Sequence, residues 1–158
     1  MKVGGHGLRD HIRLLAPSFT VVGAVWLLRL ILSAADSPPS VTRMASVTVA
    51  DSAAVLLAVI LIHARRYGSY PNVVVASLLL NVWAELLIIA AIVFSVLTKI
   101  ENVYTAPEYS VPGNDPYHLR HIYGHLTYGI GTGTLVGAAA GCLLLWLLRT
   151  LVPSKKTE

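Results

Sequence analysis

The sequence contains a single cysteine, Cys142, inside an apolar run, which excludes disulfide scaffolds, CxxC thiol relays and cysteine-rich metal modules. It is equally poor in charge. Only 13% of its 158 residues are charged, against 55% hydrophobic, and the mean hydropathy is +0.67. No ordinary soluble domain combines those values. A GxSxG elbow and a phosphate-binding loop are both missing, and the glycines around 129–133 lie inside an apolar helix rather than after a strand. No internal repeat or low-complexity tract is present. The length leaves room for about four spans of ~20 apolar residues and none for a separate soluble catalytic domain.

Four apolar stretches are present, at residues 17–35, 45–64, 73–98 and 125–152. Each is long enough to cross a bilayer as a helix, which satisfies its own backbone without water. The predicted fold is therefore all-α: a single domain over 1–158, with four transmembrane helices in a compact bundle. The first stretch reads as a retained span, because it contains Arg29 and the following Asp36-Ser-Pro-Pro offers no small-residue cleavage site. Ahead of it, His6 and His11 belong to a glycine-rich leader whose Leu8, Ile12 and Leu15 are expected at the bilayer surface.

The cations set the orientation. Lys2, Arg9, Arg13, Arg65, Arg66, Arg149, Lys155 and Lys156 flank one side, and Arg43, Lys99 and Arg120 the other. Eight against three puts both termini in the cytoplasm, in a bacterial inner (plasma) membrane, and leaves the connection at 99–115 as a long outer loop. That basic edge is an orientation signal and a contact for anionic lipid. It requires no nucleic acid, for which an aromatic platform on a soluble surface is lacking. Asp115 as cap, followed by Pro116, predicts that the fourth helix starts about two turns before the membrane.

Several polar groups lie where a bilayer accepts them at a cost. Arg29 sits about six residues before the outer end of its span and Asp51 about six after the start of the next, both ~9 Å deep, so they are matched for an ion pair. In the third span Ser77, Asn81 and Glu85 form a ridge with a four-residue period. Glu85 falls near the bilayer centre, where a carboxylate is expected to be protonated, to pair with Arg29, to bond with Asn81, or to face water inside the bundle.

On the fourth helix His118, His121, His125, Tyr128 and Thr132 fall within an arc of about 80° at 100° per residue. That stripe predicts an outer mouth of imidazoles, with His121, His125 and Tyr128 as ligand-binding groups. His118, His121 and His125 are also candidate ligands for a divalent transition metal, with Glu108 or Asp115 in support. HxxHxxxH lacks the glutamate of HExxH, and interfacial hydrogen bonding is the simpler use of such residues. His63 lies at the opposite end of its span from His121 and His125, which disfavours an intramolecular haem. Beside the stripe, Gly129, Gly133, Gly137 and Gly141 repeat every four residues and are expected to let another helix approach closely.

Four helices with a polar mouth are similar in outline to thiol oxidoreductases of the vitamin K epoxide reductase type, whose paired cysteines are missing here. Four short helices with a membrane carboxylate resemble small multidrug transporters, in which that carboxylate lies in the first helix rather than the third. Neither resemblance carries residues over. Three functions remain as expectations. The first is a noncatalytic or accessory subunit of a larger membrane complex, using the glycine face for helix contacts and the outer loop for docking. The second is a homo-oligomeric transporter or channel with a polar path through Glu85, Asp51 and Arg29. The third is a metal-dependent membrane enzyme centred on His118, His121 and His125. The expected partners are the lipid bilayer and either further copies of the chain or other membrane subunits.

Overall fold

The computed structural model describes residues 2–106 and 115–152. A short antiparallel hairpin, β1 (Lys2–Val3) and β2 (His6–Gly7), leads directly into α1 (Leu8–Ala34). A six-residue helix, α2 (Pro39–Met44), precedes α3 (Val47–Ala64), and α4 (Tyr70–Thr98) follows a tight turn. The last span is composite. It comprises α5 (Leu119–Gly124), a π-helical turn (His125–Gly129) and α6 (Ile130–Leu151). Four helical segments, Leu8–Ala34, Pro39–Ala64, Tyr70–Thr98 and Leu119–Leu151, are long and apolar enough to cross a membrane.

The helices do not share the interior equally. α3 and α4 pack on each other, and each also packs on α1 and α6. The two middle helices supply most of the core, including Ala58, Val59, Ile62, Val73, Leu80 and Ile92. α1 and α6 flank this pair and turn a broad apolar face outward, through Leu27, Leu28 and Ile31 on one and Leu135, Val136, Leu143 and Trp146 on the other. In a bilayer those faces meet acyl chains, so their exposure costs nothing.

At the ends, the helices are set by residues outside the predicted apolar limits. α1 begins nine residues before Pro17 and carries that proline within it. The expected surface leader is instead a hairpin folded onto the start of α4. Asn72, fully buried, organises this contact. Its Nδ2 donates to the Val3 carbonyl at 3.1 Å and to His11 Nε2 at 3.2 Å, and its Oδ1 accepts the Ser69 N–H at 3.0 Å. His11 in turn donates from Nδ1 to the Gly7 carbonyl at 2.9 Å, so both ring nitrogens are used and the neutral tautomer is defined. His6 stacks on Tyr67, with centroids 3.8 Å apart. Gly4 (φ +55) and Gly68 (φ +154) bring the backbone so close that a β-carbon on either would fall within 2.3 Å of Asn72 Oδ1.

The opposite end is closed by the beginning of the long connection. Lys99 ends α4 in the left-handed conformation (φ 60), and the chain then folds back. Asn102 Nδ2 donates to the Ala91 carbonyl at 2.8 Å, Ser95 and Thr105 share a hydrogen bond at 3.0 Å, and Val103 and Tyr104 are buried. Asp115 caps the last span by a longer reach than expected. Its two carboxylate oxygens accept from Leu119 N and Arg120 N at 2.9 and 2.8 Å, so the helix starts at Leu119 rather than Pro116. Pro107, Glu108, Tyr109, Pro112, Lys155 and Lys156 lie outside the described residues.

Candidate functional site

The face between α4 and the last span pairs residues in antiparallel register. Gly129 lies against Glu85, Gly133 against Asn81, Gly137 against Ser77 and Gly141 against Val73. Each step of four residues along α6 is matched by four in the opposite direction along α4, so one helix supplies side chains and the other the space they fill. A β-carbon on Gly129 would lie 2.6 Å from Glu85 Oε1, and one on Gly133 only 2.0 Å from Asn81 Oδ1. Within the ridge Asn81 Nδ2 donates to the Ser77 carbonyl at 2.9 Å, while Ser77 Oγ is buried with no hydrogen-bond partner.

One turn above Gly129, His125 Nδ1 pairs with Glu85 Oε2. The other face of the same ring continues the contact, with His125 Nε2 3.0 Å from His121 Nε2. The three groups form an unbroken chain of carboxylate, imidazole and imidazole, carried by two helices. Because two Nε2 atoms facing each other can hold only one hydrogen between them, the chain has two tautomeric arrangements. His121 Nδ1, at its far end, is buried with no hydrogen-bond partner among the described residues.

This chain borders a cavity of about 470 Å³ lined by Arg29, Arg43, Ser46, Thr48, Ile88, Tyr104, His121 and His125. The Arg29 guanidinium lies over the Tyr104 ring, 5.2 Å from its centroid. Burial pushes the Tyr104 phenol up to about 12, with the Arg29 charge acting in the opposite direction. A second cavity of about 340 Å³ holds Asp51, Asn81, Thr132 and Gly133, and Thr48 lines both. Asp51 Oδ1 is buried there without a hydrogen-bond partner. Arg29 and Asp51 thus line different cavities.

The histidine stripe is interrupted by the π-helical turn, whose wider winding adds a residue to the turn and shifts the phase of everything below it. His121 and His125 turn toward Glu85, whereas Tyr128 is 73% exposed and points away from the cavity they border. His118 sits at the start of α5 in the left-handed conformation (φ 51), its ring 6.4 Å from that of His121 and outside the hydrogen-bonded chain. Among the described residues no group of three or more His, Cys, Asp and Glu is arranged to hold a metal ion. His63 lies at the hairpin end of α3, remote along the bundle from His121 and His125.

Sequence reasoning did not anticipate two contributors to the cavity, Arg43 and Tyr104, because both reach it through the local folding of α2 and the 100–106 turn. It also missed the Asn72–His11 contact. A signal for that one does exist, since His11, Leu14, Leu15, Ser18 and Val22 continue one buried helical face upstream of the apolar stretch. No protein-family model matches the chain, and neither a curated protein nor a solved structure matches it.

Proposed function

We propose that this chain is a proton-coupled membrane transport protein, acting as a homo-oligomer, in which His121, His125 and Glu85 relay a proton between the outer cavity and the interior of the bundle. The observation that carries the reading is the hydrogen-bonded chain Glu85–His125–His121. In the resting arrangement His125 Nδ1–H donates to the Glu85 carboxylate and His121 Nε2–H donates to His125 Nε2, leaving the His121 Nδ1 lone pair free. A proton accepted at His121 Nδ1 moves the Nε2 hydrogen of His121 onto His125, and the Nδ1 hydrogen of His125 onto Glu85. One proton enters and one arrives on the carboxylate, with both rings neutral before and after. His121 Nδ1 has no hydrogen-bond partner among the described residues, which leaves it available to accept in this tautomer. Asp51, on the other side of Thr48, is the next acceptor along the polar path.

Among the described residues, six basic residues at the hairpin end against three at the other support a cytoplasmic position for both termini and an outward-facing cavity. Purified protein in liposomes with an internal pH dye tests the relay. An imposed pH gradient is expected to collapse faster than in protein-free liposomes, and Glu85→Gln should slow that collapse by about a hundredfold, the lower end of the range for removing a positioned acid or base. Wild-type liposomes no leakier than empty ones, or unchanged flux in Glu85→Gln, would overturn the reading.

The accessory-subunit alternative is favoured by a different observation. Only 11% of the last span's apolar window is buried within the chain, against 39% for α4. A helix so open offers its surface to a partner subunit as well as to lipid. Native mass spectrometry of gently extracted protein discriminates the two: a stoichiometric foreign subunit supports the alternative, and a homo-oligomer alone supports the first reading.

A further inference from the structure

A carboxylate lies at the base of the cavity of about 340 Å³ that α3, α4 and α6 enclose. Asp51, Val55 and Asn81 at this base are buried, whereas Leu56, Thr132 and Val136 at the rim are exposed. Asp51 is only 7% exposed, and its Oδ1 has no hydrogen-bond partner among the described residues. We infer that the cavity is a binding site for an organic ammonium ion, a primary amine with a compact apolar body. Its N–H groups are held by Asp51, and its body lies on Val55, Leu56 and Val136.

The hydrogen bonds already made by the walls select a donor as ligand. Asn81 Nδ2 donates to the Ser77 carbonyl, and its Oδ1 is turned toward Gly133. Ser52 Oγ donates to the Thr48 carbonyl, and Thr132 Oγ1 to the Tyr128 carbonyl. With those hydrogens committed to helix backbone, Asn81, Ser52 and Thr132 offer the cavity oxygen lone pairs, while the Thr48 hydroxyl can serve in either sense. Such a lining repels an anion. It suits a positively charged group rich in N–H, because charge-assisted hydrogen bonds are the stronger kind and a buried carboxylate is costly without one. An inorganic cation fits less well, since a hard metal ion takes about six oxygen ligands, and no group of three or more His, Cys, Asp and Glu among the described residues is arranged to hold one. The volume is that of a small-molecule site, in which apolar walls with a few placed polar groups are the usual lining. Residues 107–114 include no Lys, Arg or His, so that stretch of the outer loop supplies no countercharge for Asp51. The ammonium would be the cargo of the transport proposed above, and that role alone rests on the relay; binding rests on the cavity.

The test titrates the full chain in a neutral detergent with benzylammonium, benzyltrimethylammonium, benzyl alcohol and sodium chloride, each at the same pH and ionic strength, by isothermal titration calorimetry. Benzylammonium is expected to bind about tenfold more tightly than benzyl alcohol, roughly the factor by which a hydrogen bond to a charged group exceeds a neutral one. It should also exceed benzyltrimethylammonium several-fold, because the quaternary ion carries the charge without N–H donors. Asp51→Asn keeps the shape of the side chain and should erase the preference for the amine over the alcohol. If that variant does not fold, Val136→Phe, at a rim position 67% exposed and so tolerant of size, should still weaken amine binding several-fold by filling the cavity with Asp51 intact. Equal binding of amine and alcohol, an undiminished preference in Asp51→Asn, unchanged affinity in Val136→Phe, a quaternary ion bound as tightly as the primary one, or saturable binding of sodium in place of the amine would overturn the assignment, the last by identifying an inorganic cation site. Relay and site fail separately: unchanged flux in Glu85→Gln with amine binding intact removes only the relay, and a working relay in protein that binds no amine removes only the site.

Discussion

Replacing Gly141 by alanine isolates the packing of the last span on the middle helices. A β-carbon at this position would lie 2.7 Å from Val73 Cγ1 and 3.0 Å from Val59 Cγ2. Both valines are fully buried, and their branched side chains have little rotamer freedom with which to yield. Overpacking of this kind costs about 1–3 kcal/mol, whereas glycine to alanine within a helix returns up to about 1 kcal/mol of backbone propensity. Gly131 is the control, since a β-carbon there meets nothing within 4 Å and only the propensity gain remains. The two variants should therefore differ by about 1–3 kcal/mol. For a chain of this length that is a gap of roughly 2–12 °C in melting midpoint, read by circular dichroism in one detergent. The double variant Gly141→Ala/Val73→Ala should recover most of the loss by restoring space at the contact. Equal midpoints for Gly131→Ala and Gly141→Ala would refute the proposed register between α4 and α6.

Three further outcomes follow from contacts at the two ends of the bundle. Asn72→Ala strands the Ser69 N–H, the Val3 carbonyl and His11 Nε2 together, so a loss of at least about 2 kcal/mol is expected in thermal unfolding; a change below about 0.5 kcal/mol would mean the hairpin is not held by this residue. Tyr104, with its pKa pushed from about 10 to about 12, contributes stability that is complete below pH 10 and is lost as the pH rises through 12. Tyr104→Phe should flatten that alkaline limb, because phenylalanine keeps the buried ring beneath Arg29 and removes only the titrating oxygen; an unchanged alkaline limb refutes it. Trp83→Phe removes the 3.1 Å bond from Nε1 to the Phe19 carbonyl between α4 and α1, at a cost of about 1 kcal/mol, and should redden no other tryptophan's emission if the helices hold their positions.

The spans were legible because each is a long apolar run, and the bilayer allows such a run few alternatives to a helix. Their ends were not, because a hydropathy limit marks where apolar residues stop rather than where hydrogen bonding does. α1 therefore extends back to Leu8 on the strength of His11, Leu14 and Leu15. Within the candidate site, Glu85, His121 and His125 were each conspicuous as polar groups in apolar surroundings. The contact between them depends on the relative height of two helices forty residues apart, which no single-helix period contains. The stripe of five assumed a uniform 100° per residue and lost Tyr128 at the π-helical turn, a change of winding without a residue signature in this sequence.

Polar residues on α4 and small residues on α6 appear in the sequence as two separate patterns, one suggesting chemistry and the other helix association. Their shared four-residue period has a single physical origin. Glu85, Asn81 and Ser77 cannot lie against acyl chains without cost, and placing them inward against a helix of leucines would separate the helices by the depth of two side chains. Glycines at 129, 133 and 137 remove one of those two layers, so polar side chains occupy the gap while the backbones stay close. The ridge then has one side still open, at its upper end, where the π-helical turn brings His125 over Glu85. The carboxylate is thereby flanked by glycine backbone on one side and paired with an imidazole on the other.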